Sequence, residues 1–247
     1  MEVQTTTKGN KMKIKFIAFV MGLLLVGSAL GQTNSGGNSV YIDQTNADNS
    51  SVTINQTGSG NTLGDPSNVG SPSFRIEGNG ITANITQDGM NNSITGGIIG
   101  GGTTANVTQT GNSNSTNLNM GNMGTDNGVL NVGVTGDNNT TALNIGTLRD
   151  SSNYNYGLTI TGGSNSVTST INSKNTNNSI SVSGDSNTIT TTQTGANGTT
   201  QTGGHNINIS NIGSNNTIGV LQNGTTSPNS ATVNLTGSNA SVSVTQR

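Results

Sequence analysis

Residues 50–62 read SSVTINQTGSGNT, and the parity of this stretch decides the fold. Val52, Ile54 and Gln56 occupy alternate positions, so in an extended chain they share one face while Thr53 and Asn55 take the other. Gly58, Gly60 and Asn61 follow, and these residue types tolerate the positive φ of a tight turn. The phrase is therefore a strand and a turn, with a glutamine where the alternation calls for an apolar side chain. A lone buried glutamine leaves an unsatisfied amide costing about 1–3 kcal/mol. Stacked on a second glutamine at the roughly 4.8 Å spacing of paired strands, it donates to the next side-chain carbonyl instead. The glutamine thus predicts that copies of the phrase stack in register.

Copies are present along the chain. NSVYIDQTNADN (38–49) precedes the phrase and sets Gln44 and Asn49 at the same spacing as Gln56 and Asn61. TANITQDGMNN (82–92) and TANVTQTGNSN (104–114) are near copies of each other, carrying Gln87 with Asn92 and Gln109 with Asn114. GVTGDNN (133–139), TITGGSN (159–165), SVSGDSN (181–187) and ISNIGSNN (209–216) keep the turn and lose the glutamine. TTTQTGAN (190–197) regains it at Gln193, and NASVSVTQR (239–247) repeats the inward phrase as Val242, Val244 and Gln246. The unit is about 9–13 residues, often doubled to about 22, a period that indicates a solenoid or array. No helical periodicity is sustained after residue 31. The expected fold is all-β: a β-solenoid of short strand-turn repeats with cross-β stacking. Gln44, Gln56, Gln87, Gln109, Gln193 and Gln246 are expected to point inward as stacking residues, with Asn49, Asn61, Asn92 and Asn114 stacking at the turns.

Composition agrees with this expectation. Only 28% of the chain is hydrophobic, 2% aromatic and 7% charged, against roughly 45–50% apolar and about 25% charged in ordinary globular domains. Three prolines and little charge do not fit a conventional disordered chain either. Asn, Thr, Ser and Gly dominate, as suits amide-ladder β structure. Cysteine is absent, which excludes disulfides and thiolate metal sites.

The run FIAFVMGLLLVGSA (16–29) follows Lys8, Lys11, Lys13 and Lys15 and ends in ALGQ. It reads as a secretory signal peptide over 1–31, with Ala29 and Gly31 placing cleavage before Gln32 and Met12 as the true start, residues 1–11 being an artefact. The run is shorter than the roughly 20 residues a membrane span needs, so no membrane association is expected after cleavage. The mature chain keeps four basic residues against nine acidic ones, a balance near −5 with no basic stripe for nucleic acid. Residues 32–62 form the first repeats, 63–78 are expected as a loop because Pro66 and Pro72 cannot sit in a central strand, and 79–247 hold the remaining irregular repeats of one solenoid.

The phrase Ser-x5-Gln-x-Gly-x-Gly-Asn at 50–61 resembles the curlin repeat of bacterial curli subunits, and 82–92 and 104–114 are similar to it. The resemblance implies that Ser50, Gln56 and Asn61 are stacking residues of a functional amyloid. It also implies export through an outer-membrane pore, a nucleating or minor subunit as partner, and a place in an extracellular biofilm matrix as an adhesive, pilus-like fibre.

Catalytic chemistry finds little support. His205 in GGHN is expected as a surface turn residue, having neither cysteine nor a neighbouring acid. GGIIGGG (96–102) lacks the Lys-Ser/Thr of a phosphate loop and reads as a connection between coils. Asp88, Asp137 and Asp185 are expected in turns, without the converging oxygens a calcium site needs. No enzyme activity, cofactor or metal is expected. The expected function is a secreted structural subunit that polymerises head-to-tail into extracellular fibres, because the first and last phrases both present open, unblunted strands. The alternative is a non-amyloid β-solenoid adhesin or tail-fibre-like surface-binding protein. Ice binding through the alternate threonines of TITTTQT (188–194) is disfavoured by the uneven repeat length.

Overall fold

The computed structural model describes residues 37–65, 74–120, 128–145, 155–173, 176–195, 204–224 and 228–247. The expected signal peptide, Pro66 and Pro72 lie outside them. The described residues form strands and turns and no helix. β1 (Ser39–Val40) and β2 (Ile42–Thr45) lie in one sheet, the back sheet, and β3 (Ser51–Ser59) lies in the front sheet. β4 (Thr62–Leu63) and β5 (Phe74–Glu77) return to the back sheet. Each later coil is one front and one back strand. These are β6 (Thr82–Met90) with β7 (Ser93–Ile99), β8 (Thr104–Asn112) with β9 (Ser115–Met120), and β10 (Val129–Thr135) with β11 (Thr140–Ile145). Then follow β12 (Asn155–Thr161) with β13 (Ser166–Asn172), β14 (Asn177–Ser183) with β15 (Thr188–Thr194), β16 (Asn206–Ile212) with β17 (Thr217–Asn223), and β18 (Ser230–Thr236) with β19 (Ser241–Gln246).

All pairing is parallel and in register, so the fold is a β-solenoid. The front strands start at Ser51, Thr82, Thr104, Val129, Asn155, Asn177, Asn206 and Ser230, at uneven intervals. Their back strands start at Thr62, Ser93, Ser115, Thr140, Ser166, Thr188, Thr217 and Ser241, each at the same offset from its front strand. All variation in coil length therefore falls on the return from back to front, which is short from Ser93 to Thr104 and long from Thr62 to Thr82. The repeat unit read from the sequence is half a coil, and two halves close one turn of the solenoid.

Parity builds the core. Ile85, Val107, Val132, Leu158, Ile180, Ile209 and Val233 succeed one another down one inward column of the front sheet, and all are buried. Burying each such side chain contributes about 1.5–3 kcal/mol, and branched side chains suit this stacked, pleated surface. Two expectations are corrected. Leu63 and residues 74–77 are not loop but lie in strands β4 and β5, because Leu63, Phe74 and Ile76 point inward and are fully buried. GGIIGGG is not a connection, since Gly96–Ile99 belong to strand β7 and Ile98 is buried in the core.

Candidate functional site

The half-coil of constant length ends in a four-residue turn, of the form Gly-x-x-Asn in every coil but the last, where Ala240 takes the fourth position. Its first position is Gly58, Gly89, Gly111, Gly136, Gly162, Gly184, Gly213 and Gly237, with φ from 94 to 136°. Its third position is Gly60, Asn91, Ser113, Asn138, Ser164, Ser186, Asn215 and Asn239, with φ from 56 to 70°. The third position lies in the small left-handed region that Asn tolerates, and the first lies beyond it, where glycine is required. A Cβ on Gly89 would also strike the carbonyl oxygen of Gly111 in the next coil. The turns stack so closely that no side chain fits between them.

The fourth position forms a buried ladder through Asn61, Asn92, Asn114, Asn139, Asn165, Asn187 and Asn216. The Nδ2 of Asn92 donates to Asn61 Oδ1 at 3.0 Å and to the Gly111 carbonyl at 2.7 Å, while its backbone N–H donates to the same Oδ1 at 3.0 Å. Asn114, Asn139, Asn165 and Asn187 repeat the arrangement at 2.6–3.1 Å. Asn92, Asn114, Asn139 and Asn165 thus use both side-chain donors and accept two bonds at the oxygen, which is why the amide can be buried. Asn187 accepts the Asn216 N–H alone, because Asn216 Nδ2 turns to Asn211 Oδ1 at 3.0 Å. The column begins at Asn38, whose Oδ1 accepts the Asn61 N–H at 3.0 Å, and ends at Ala240, whose N–H donates to Asn216 Oδ1 at 2.9 Å.

The glutamines form two separate ladders at diagonal corners. In the front sheet, Gln56 Nε2 donates to Gln87 Oε1 at 2.7 Å, and Gln87 Nε2 to Gln109 Oε1 at 3.0 Å. The Gln87 amide also crosses the interior to the Thr62 carbonyl of the back sheet at 3.1 Å. The next coil carries Val134 in this column, so Gln109 Nε2 turns to Thr116 Oγ1 at 2.9 Å. In the back sheet, Gln193 donates to Gln222 at 2.9 Å and Gln222 to Gln246 at 2.8 Å. Gln193 also exchanges two bonds with the buried Asn178 of the front sheet at 2.8 and 2.9 Å. Ser50 links coils through the return corner, donating to the Gly78 carbonyl at 3.1 Å and accepting the Ile81 N–H at 2.9 Å.

Several placements differ from expectation. Gln44 is exposed, because it lies in the outermost described strand of the back sheet and stands over Ile76 rather than another amide. Asn49 is exposed at φ 55° in the return corner before β3. The matched spacing in the sequence equated a back strand and its return corner with a front strand and its turn, and Asn38 takes the ladder position instead. Gln193 and Gln246 belong to the opposite sheet from Gln56, Gln87 and Gln109. Sequence reasoning missed Gln222, Asn139, Asn165, Asn187 and Asn216; the recurring Gly-x-x-Asn spacing carried the signal for the asparagines. Asp88 lies within strand β6. Asp137 and Asp185 accept the Asn112 and Gly163 N–H groups of preceding coils at 2.7 and 2.6 Å, so they tie turn to turn. No group of three or more metal-ligating side chains occurs among the described residues. No known protein family, curated protein or solved structure matches this chain.

His205 is also corrected: it is buried, its Nδ1 accepting the Asn229 N–H at 3.0 Å. Burial lowers its pKa from the ordinary value near 6.5, opposed by the Gly224 backbone. A base whose folded pKa is depressed binds fewer protons when folded, so stability is full above the unfolded pKa and falls as pH drops below about 6.5. The urea midpoint of the folded chain is expected to fall between pH 7.5 and 5.5, and less so in a His205→Asn variant. Equal pH dependence in the two proteins would refute the assignment.

Proposed function

We propose that the chain is a secreted structural subunit that self-assembles into extracellular, curli-like amyloid fibres serving a biofilm matrix or adhesion. The observation that carries this reading is the in-register parallel stack of amide ladders, whose geometry repeats from coil to coil. In such a stack a coil of a second chain can offer the backbone pairing that the next coil of the first chain offers. At the outermost described strands the inward residues Val52, Ile54, Gln56, Val242, Val244 and Gln246 are only half-buried. A further layer would complete their burial. The leader-like segment at 1–31 and the repeat at 50–61 support export and fibre formation, with a secretion pore and a nucleating subunit as the partners the resemblance implies.

The mature chain is expected to polymerise without added ligand, to enhance thioflavin fluorescence, and to diffract with a cross-β spacing of about 4.7–4.8 Å. Purified protein that stays monomeric at high concentration, with no such reflection, would remove the fibre reading. The outward faces would then favour the adhesin alternative, for they carry an exposed amide row in which Asn84 donates to Asn106 at 2.9 Å and Asn106 to Asn131 at 3.0 Å.

A further inference from the structure

Gln44 is out of place in an isolated chain. It occupies an inward position, is exposed, and stands over Ile76, which offers its amide nothing. Followed through the registers of the back sheet, however, its column ends in Gln193, Gln222 and Gln246. The same tracing places Ser39 and Ser241 at two ends of one column, and Val40 and Val242 at two ends of another. The segment 39–44 reads SVYIDQ and the segment 241–246 reads SVSVTQ, so both carry serine, valine, a branched apolar residue and glutamine at matching positions.

We propose that β19 of one copy pairs with β1 and β2 of a second copy in the register Ser241–Ser39, Val242–Val40, Val244–Ile42 and Gln246–Gln44. This rests on the fibre reading and specifies its junction. In both glutamine ladders the Nε2 donates toward the higher residue number. Gln246 Nε2 gives one proton to the Ser230 carbonyl at 2.9 Å, as Gln222 Nε2 gives one to the Asn206 carbonyl at 3.0 Å. Its second proton is the one an incoming Gln44 Oε1 accepts, so that the ladder Gln193–Gln222–Gln246 runs on into the second copy. A junction through the front sheet is poorer, because the column of Gln56 ends at Leu235.

Two features make this junction weaker than an internal coil boundary. Among the described residues the back sheet has nine levels and the front sheet eight strands, so the contact continues the back sheet and leaves one front level open between β18 and the incoming β3. The asparagine ladder is also interrupted, since Ala240 has no side-chain oxygen to accept from the incoming Asn38. Fibres should shorten by losing whole subunits at these junctions while each solenoid stays folded.

The chain has no cysteine, so introduced thiols report without background. A chain carrying both Ser39→Cys and Ser241→Cys is assembled and treated with a short bis-maleimide. The expected product is a ladder of multimers joined only between positions 39 and 241, as read by peptide mass spectrometry. Fibres joined instead between like positions, or not joined, overturn the junction while leaving the fibre reading intact. If neither this chain nor the wild type polymerises, the fibre reading itself falls. In parallel, Gln44→Leu, which removes the acceptor for Gln246 Nε2, is expected to slow elongation at least tenfold without moving the monomer's urea midpoint, and Ala240→Asn to lower the critical concentration about tenfold. Wild-type elongation by Gln44→Leu, or an unchanged critical concentration for Ala240→Asn, counts against the proposed register.

Discussion

Gly136→Ala is expected to destabilise the solenoid by more than about 4 kcal/mol, beyond the usual range for a single substitution. Gly136 has φ 120°, outside the left-handed region that Asn or Ser can enter. An alanine there strains the backbone by about 1–3 kcal/mol. Its Cβ would in addition strike the carbonyl oxygen of Gly162 and come within 2.7 Å of the carbonyl carbon. Both obstacles belong to the Gly162 carbonyl, whose peptide is held by Gly162 N–H to Thr135 O at 2.9 Å and whose oxygen accepts Asn139 Nδ2 at 2.7 Å, so it cannot swing aside. In a stacked array a central lesion uncouples the coils on either side, so urea unfolding should split into two transitions. Gly133→Ala is the control: it lies in the same strand, at ordinary φ, with nothing within 4 Å of a Cβ. It should be neutral or stabilising by about 0.4–1 kcal/mol. Coincident midpoints for the two variants would show that the stacked turns yield, against the packing described here.

The glycines explain why so much of this fold is legible in the sequence. A solenoid repeats one environment, so each constraint recurs at a fixed offset, and the parity of Val52, Ile54 and Gln56 returns as Ala83, Ile85 and Gln87 directly above the same partners. The Gly-x-x-Asn turn has a constant length because its glycine and asparagine are both locked to neighbouring coils. Among the described residues the return corner shows no comparable ladder, and its buried positions include Ile81, Thr103, Thr176 and His205, which share no chemistry. Sequence similarity therefore fades there, which is how His205 reads as a surface residue. The assignment of glutamines to sheets is hidden for a related reason. Front and back strands share the same alternation, and only the running count of half-coils tells Gln193 from Gln109. Phe74 and Ile76 were masked by the nearby prolines, although their own alternation marks a strand.

Asn165→Asp is expected to produce the second large loss, with a pH dependence that identifies its cause. Asn165 is buried, and its Nδ2 donates to Asn139 Oδ1 at 3.1 Å and to the Gly184 carbonyl at 2.8 Å. Its Oδ1 accepts the N–H and Nδ2 of Asn187, both at 3.0 Å. Aspartate preserves the shape and the accepting oxygen but sets a second oxygen against two acceptors. Ionised, it is an uncompensated buried charge, costing about 3–5 kcal/mol. Protonated, it recovers one donated bond. Its folded pKa must therefore rise above the unfolded value of about 3.9. A raised acid pKa means that the folded form binds the extra proton, so the deficit is greatest at neutral pH and shrinks as pH falls through the folded pKa toward 3.9. Asn165→Leu removes the same donors and leaves the Asn187 N–H and one of the two Nδ2 protons of Asn187 without an acceptor, the other still donating to the Gly213 carbonyl at 2.8 Å. The cost is about 1–3 kcal/mol for each unmade bond. That deficit carries no charge and should not change with pH. Because His205 weakens wild type and variants alike on acidification, the quantity to compare is the difference from wild type at each pH. Urea midpoints from pH 7.5 to 4 should move toward wild type for the aspartate variant, short of it by the one donated bond not recovered, and keep a constant gap for the leucine variant. A constant gap for both would mean that water reaches the asparagine column and that the ladder is not a desolvated interior.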